Sequence, residues 1–175
     1  MKNRFSAVSA IALCVGVLAG CATSATHQAM TVQPQAAAVV NPKLKSAIRV
    51  DAVTGGKDTN PLWTSQVDDA GFKKALEDSL AIAGYLATGN NANAPYTLSA
   101  ELKELDQPLL GFTFDVKSSV VYKLSGNGST KDYPVTATGT ATVSDAFVAI
   151  ERLRIANEKS IQENIKVLLK ELEHF

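Results

Sequence analysis

Few side chains in this 175-residue sequence could do covalent or acid–base chemistry, and their spacing sorts them quickly. A nucleophile–base pair needs a base that is itself oriented by a third group. The two histidines are His27, in a stretch with no periodicity, and His174, next to the last residue, so neither reads as scaffold-held and no catalytic residue is assigned. The same scarcity leaves no ligand set for zinc, and no metal or cofactor is expected. Adjacent carboxylates occur at Asp68-Asp69 and at Glu101 with Glu104. Paired carboxylates at a fixed separation can hydrolyse glycosides, but these read as a helix N-terminus favoured by negative charge and as a solvated strand face. Gly55-Gly56-Lys57-Asp58-Thr59 has Asp51 and Asp58 where a phosphate loop needs glycine and Ser/Thr, so it reads as a turn. Asn127-Gly128-Ser129 reads as a turn as well.

Cysteine offers a more definite chemistry. Lys2 and Arg4 form a basic start, residues 5–17 an uncharged apolar run, and Leu18-Ala19-Gly20-Cys21 its close. The run has the length of a secretory leader rather than of a membrane span. A leucine and two small residues before a cysteine resemble the bacterial lipobox. Cys14 lacks that approach and lies too early. The resemblance implies that the Cys21 thiol receives a diacylglyceryl group, that the chain is cut between Gly20 and Cys21, and that the new amine is acylated. Several acyl chains on one residue hold firmly, since each buried methylene contributes about 0.8 kcal/mol. Ala22 stands where an aspartate would mark inner-membrane retention, so the expected location is the periplasmic face of the outer membrane.

Removal of the first 20 residues leaves 155, enough for one domain with a core. The mature chain has 15 basic and 17 acidic residues, a net charge of −2, which argues against a nucleic-acid partner. From Ala22 to Pro42 only His27 can carry a side-chain charge, and neither helical nor strand periodicity is present. The organisation expected is a leader over 1–20, lipidated Cys21 with a flexible tether over 21–45, and one periplasmic domain over 46–175. As a coil, the tether would span about 25 Å on average and roughly 70 Å when stretched.

Within the domain, Ile48, Val50 and Ala52 alternate in a first strand that stops at Thr54-Gly55-Gly56. Phe72, Leu76, Leu80 and Ala83 recur at helical spacing, with Lys73–Glu77 and Lys74–Asp78 as i,i+4 pairs, Ser65 or Asp68 as cap, and Gly84 as terminator. Three stretches then alternate with period two. They are built on Tyr96, Leu98, Ala100 and Leu102; on Phe112, Phe114, Val116, Val120, Tyr122 and Leu124; and on Tyr133, Val135, Ala137, Ala141 and Val143. The last two are joined through 125–129 as a hairpin with a longish tip. A helix from near Ala149 to Leu172 closes the chain, with Ser144 or Asp145 as its cap. Two amphipathic helices and a sheet with one wet face predict an α+β two-layer sandwich, β-α-β-β-β-α, with a mainly antiparallel four-stranded sheet and both helices on one face.

Two apolar runs fall in predicted loops, Pro108-Leu109-Leu110-Gly111-Phe112 and Leu62-Trp63. The ordinary expectation is that they fold over an end of the sheet and close the core. The functional alternative makes Leu109, Leu110, Phe112 and Trp63 a contact site for a protein partner or an acyl chain.

The lipobox, the strand with Asp115, Val116, Val120 and Tyr122, the Thr-rich strand, and Arg154-Ile155-Ala156-Asn157-Glu158 opening a helix that holds Asn164 are similar to the YajG-like small envelope lipoproteins of Gram-negative bacteria. More distantly, the chain resembles auxiliary lipoproteins of envelope transport and assembly systems. The resemblance implies an envelope lipoprotein without known catalysis. The anchor, the long linker and the missing catalytic groups point to a membrane-anchored, non-catalytic binding or assembly accessory. The alternative is a lipid- or glycolipid-handling component of a transport system.

Overall fold

Period-two alternation becomes a sheet because each strand needs a second layer for its apolar side only. The computed structural model describes residues 22–33, 40–60, 64–88 and 93–175. The leader, Cys21 and the 61–63 run that includes Trp63 lie outside the described residues. In chain order the elements are α1 (His27–Met30), β1 (Ile48–Thr54), α2 (Asp69–Ile82), β2 (Tyr96–Asp106), β3 (Phe114–Gly126), β4 (Ser129–Ala141) and α3 (Ala149–Glu173). The sheet has the order β1-β2-β3-β4. β1 pairs parallel with β2 across the α2 connection, and the other two pairings are antiparallel. This is the α+β sandwich that the periodicities predict, with a mixed sheet.

β3 shows the reason most plainly: Phe114, Val116, Ser118, Val120, Tyr122 and Leu124 are buried, while Asp115, Lys117 and Lys123 are exposed. α3 supplies the facing stripe, with Leu153, Ile161, Ile165, Leu168 and Leu172 buried. Its 25 residues extend about 37 Å at 1.5 Å per residue, matching the roughly 40 Å of β3. α2 covers β1 and starts where Asp68 Oδ1 accepts the Gly71 N–H at 2.7 Å. Lys74 and Asp78 pair on its exposed side, and Gly84 follows its end.

Four expectations need correction. In β1 the bulge between Val50 and Val53 moves Val53 to the core and leaves Ala52 exposed, because an extra residue flips every later side chain to the other face. The hairpin tip is a two-residue turn, Asn127-Gly128, with φ of 49° and 76°, which matches the twist of the flanking strands. α3 has Val148 at its N-cap position and no side-chain cap; Asp145 instead accepts from Thr142 N at 2.8 Å, within the preceding turn. Finally, the stretch expected to be a tether is docked from Ala22 to Val32. Met30 is fully buried and joins the core cluster with Ala25 and Val32, and Val32 N donates to Ser79 Oγ at 3.0 Å. Four helical residues are too few to show a period, which is why the pattern is silent there.

Candidate functional site

β1, β2 and β4 end, and β3, α2 and α3 begin, at one end of the sandwich, so the β1–α2, β2–β3 and β4–α3 loops gather there. The β2–β3 loop leaves Leu109, Leu110 and Phe112 at 94, 89 and 83 % exposure. These side chains do not close the core. Phe112 also falls outside β3, whose first inward residue is Phe114. The β4–α3 loop adds Phe147 at 91 % and the half-exposed Val143 and Val148. Sequence reasoning passed over Phe147. Its signal was an apolar pair, Phe147-Val148, standing before a helix that already had its full stripe. The sequence-predicted residues Leu109, Leu110 and Phe112 are thus together on one loop, while Trp63 and Cys21 lie outside the described residues.

A single buried cation holds the two loops. Arg152, in the first turn of α3 and 5 % exposed, donates from Nη1 to the carbonyls of Ala146 (2.9 Å) and Phe147 (2.7 Å) and from Nη2 to that of Gly111 (3.1 Å). Its guanidinium lies 5.2 Å from the centre of the Phe114 ring. Three carbonyl dipoles and an aromatic face thereby meet a charge that would otherwise be costly to bury. Gly111 presents its carbonyl from φ +150°, a conformation that side-chain-bearing residues rarely adopt. The Arg152 Nε is buried without a partner.

Beneath the loops runs a polar network. Gln107 Nε2 donates to Asn157 Oδ1 (2.8 Å) and to the Ser65 carbonyl (3.0 Å), Asn157 Nδ2 donates to the same carbonyl (3.0 Å), and Ser65 Oγ donates to Thr23 O (2.7 Å). Thr26 N and Oγ1 both donate to Glu158 Oε1, at 2.8 and 2.9 Å, and Arg154 pairs with that same carboxylate. The Arg154 guanidinium also binds Glu151, whose carboxyl it holds below the usual range, while Arg154 itself is shifted up. Nearby, Asp145 is lowered to about 2, first by the hydrogen bond from Lys159 and then by those from Thr142.

A groove of about 800 Å³ opens beside this network. Leu102, Leu105, Pro108, Leu109 and Leu153 line it together with Lys57 and Lys103. Of the carboxylates considered for chemistry, three have structural partners: Asp68 caps α2, Asp69 Oδ1 accepts from Gly56 N at 2.6 Å, and Glu101 pairs with Lys103 at 2.6 Å. His27 sits on α1 with Nε2 3.9 Å from Asp78, held by the scaffold rather than loose. Among the described residues no three His, Cys, Asp or Glu side chains gather as a metal site, and no helix is long and apolar enough to cross a membrane.

The fold and the loop end together define a small α+β sandwich with an apolar crown and a docked N-terminal segment. No family model matches the chain, and no curated protein matches it in sequence. The fold is similar to that of an uncharacterized protein, with a TM-score of 0.52 at 9 % identity over 81 % of this chain and 98 % of that one. Weaker likenesses are to a candidate lipoprotein from Caulobacter crescentus CB15 (TM-score 0.47, 16 % identity, 75 and 91 % coverage) and a hypothetical protein from Chlamydia trachomatis (0.44, 12 %, 71 and 91 %). At these identities the likeness concerns the fold alone.

Proposed function

We propose that the chain is a bacterial envelope lipoprotein of the YajG-like kind, acylated at Cys21 and held on the periplasmic face of the outer membrane. Its domain is a non-catalytic contact module, a binding or assembly accessory. The observation that carries this reading is the crown: four large apolar side chains stand almost fully exposed on two loops that Arg152 fixes to one another. Surface patches of this kind mark interaction sites, and a rigid support lowers the ordering cost of a contact. Intact mass of the mature N-terminal peptide tests the anchor. The expected result is acyl mass on Cys21, together with transfer of the Cys21→Ser chain to the soluble fraction. A photo-crosslinker at Leu110 in intact cells tests the contact; a discrete adduct is expected, and its absence removes the crown from consideration.

A second reading, lipid or glycolipid handling, is favoured by the groove beside Leu109 and Leu105. Pockets for lipids are concave and largely apolar with a few polar groups. Lipid that co-purifies with the chain and is lost on filling the groove by Leu153→Trp would promote it.

A further inference from the structure

The docked N-terminal segment fixes where any lipid on Cys21 must start. Ala22 is buried, Ala25 N donates to Gln66 O at 3.0 Å, and Thr23 O accepts from Ser65 Oγ at 2.7 Å. Ser65 and Gln66 belong to the β1–α2 loop, at the crown end. From Thr23, two hydrogen bonds lead through Ser65 to Gln107, and Leu109 is two residues further along the chain. Between Cys21 and the folded domain there is one peptide link, about 3.8 Å from Cα to Cα. The expected reach of tens of ångströms does not exist on this side of the domain.

We infer that the crown rests on the same bilayer that holds the lipid: Leu109, Leu110, Phe112 and Phe147 dip into the headgroup region and set the domain upright. This rests on the lipoprotein reading above and names the partner of the same site. Three observations favour a bilayer over a protein. Thr23 and Ala25, the described residues that follow Cys21 most closely with contacts to the β1–α2 loop, share the crown's end of the sandwich. The 108–112 run carries no charged side chain, while Arg152, buried beneath the crown, turns both Nη atoms to carbonyls and its guanidinium to the Phe114 ring at the base of the loops rather than at their tips. And apolar loops too weak to bind a membrane by themselves dock when a lipid holds them beside it, because the second contact is intramolecular. β3 then stands away from the surface and lifts the Asn127-Gly128 turn to roughly 40 Å above it, from its 13 residues. The polar sheet face with Thr136 and Thr138, exposed on β4, is left free for whatever the domain meets.

The test uses the full lipoprotein, processed from its own leader and reconstituted in phosphatidylethanolamine–phosphatidylglycerol vesicles. Cys21 is the one native cysteine past the leader and its sulfur is alkylated, so a single introduced thiol takes the label. Leu110→Cys and Phe147→Cys, both at exposed positions, are compared with Ser129→Cys at the far turn, each carrying a polarity-sensitive nitrobenzoxadiazole dye. The expected result is a blue-shifted emission at 110 and 147, reduced about twofold by lipids spin-labelled near the headgroup, with no change at 129. Dyes at 110 and 147 that behave like the one at 129, in protein whose mass shows an acylated Cys21, overturn the docking and leave the anchor standing. A mature chain with no acyl mass overturns the anchor and the docking together. A protein adduct in place of a lipid adduct at Phe147 in intact cells also overturns it.

Discussion

Arg152 and Phe147 are five residues apart, and the guanidinium of the first donates at 2.7 Å to the carbonyl of the second. The side chain of Phe147 therefore points into solvent from a backbone that is fixed. Replacing Arg152 by alanine removes three charge-assisted hydrogen bonds and one ring contact. The expected cost is about 2 kcal/mol, since bonds to a charged group contribute roughly 1.5–3 kcal/mol and the freed carbonyls, being at the rim, recover water. Thermal unfolding should then fall by about 4–8 °C for a domain of this size. Hydrogen exchange in 107–113 and 142–148 should rise while β2 and β3 stay protected. Arg152→Lys should not rescue it, because an ammonium cannot span both loops.

Asn164 and Tyr122 make the corresponding contact in the core. Tyr122 OH donates to Asn164 Oδ1 at 2.9 Å, and Asn164 Nδ2 donates to the carbonyls of Ser118 and Val135 at 3.2 Å. Both residues are fully buried, and burial pushes the Tyr122 hydroxyl well above its ordinary pKa. Asn164→Ala leaves the buried Tyr122 hydroxyl without its acceptor and takes one bond from each of two strand carbonyls, and should cost about 3 kcal/mol. Tyr122→Phe leaves one acceptor short and should cost about 1–2 kcal/mol. Chemical denaturation of both and of the double variant should give a coupling of about 1 kcal/mol.

Both residues sit at strand and helix positions that the periodicities identify, yet their pairing was not legible. Alternation told which side of β3 faces in, Gly84 marked the end of α2 and the Ser65-or-Asp68 alternative its start, because those signals are local. Ser118 broke the apolar run of β3 for a reason that lies on another element: its hydroxyl donates to Ser160 O at 3.2 Å. The crown was half legible. The 108–112 run stands out against polar loops, whereas Phe147 and Arg152 become a site only when α3 is laid beside the β2–β3 loop.

Gly139 is the same lesson in backbone form. It lies among threonines on β4, and a Cβ there would fall well inside contact distance of the Ala156 carbonyl and the Ser160 amide of α3. Neither backbone group can turn aside. Gly139→Ala should therefore cost about 3 kcal/mol or more by overpacking, while Gly128→Ala, with open space around its Cβ site and φ of 76°, should cost about 1 kcal/mol from conformation alone. Denaturation midpoints of the two variants give the comparison.

Asp145 predicts a pH response. Lys159 donates to its Oδ1 at 2.7 Å and Thr142 N to its Oδ2 at 2.8 Å, and its carboxyl is lowered from 3.8 to about 2. A depressed folded pKa stabilises the loop above the unfolded value and loses that contribution as pH falls through the folded one. The Thr142 amide resonance should hold steady from pH 8 to pH 4 and titrate with a midpoint of about 2. A midpoint near 4 would show that the β4–α3 loop is not pinned.

Met30 decides between a tether and a docked segment. It is fully buried in the main core cluster, although only four residues of helix carry it. A flexible tether would make Met30→Ala neutral. Burial against α2 and α3 makes it a cavity, with an expected loss of about 2–4 kcal/mol. The Thr26→Val variant adds a second reading of the same contact, since it removes the hydroxyl that donates to Glu158 at 2.9 Å and leaves the backbone bond at 2.8 Å in place; about 1 kcal/mol should be lost. If both variants unfold at the wild-type denaturant concentration, residues 22–32 swing free, the reach from Cys21 returns to tens of ångströms, and the crown is no longer constrained to the bilayer.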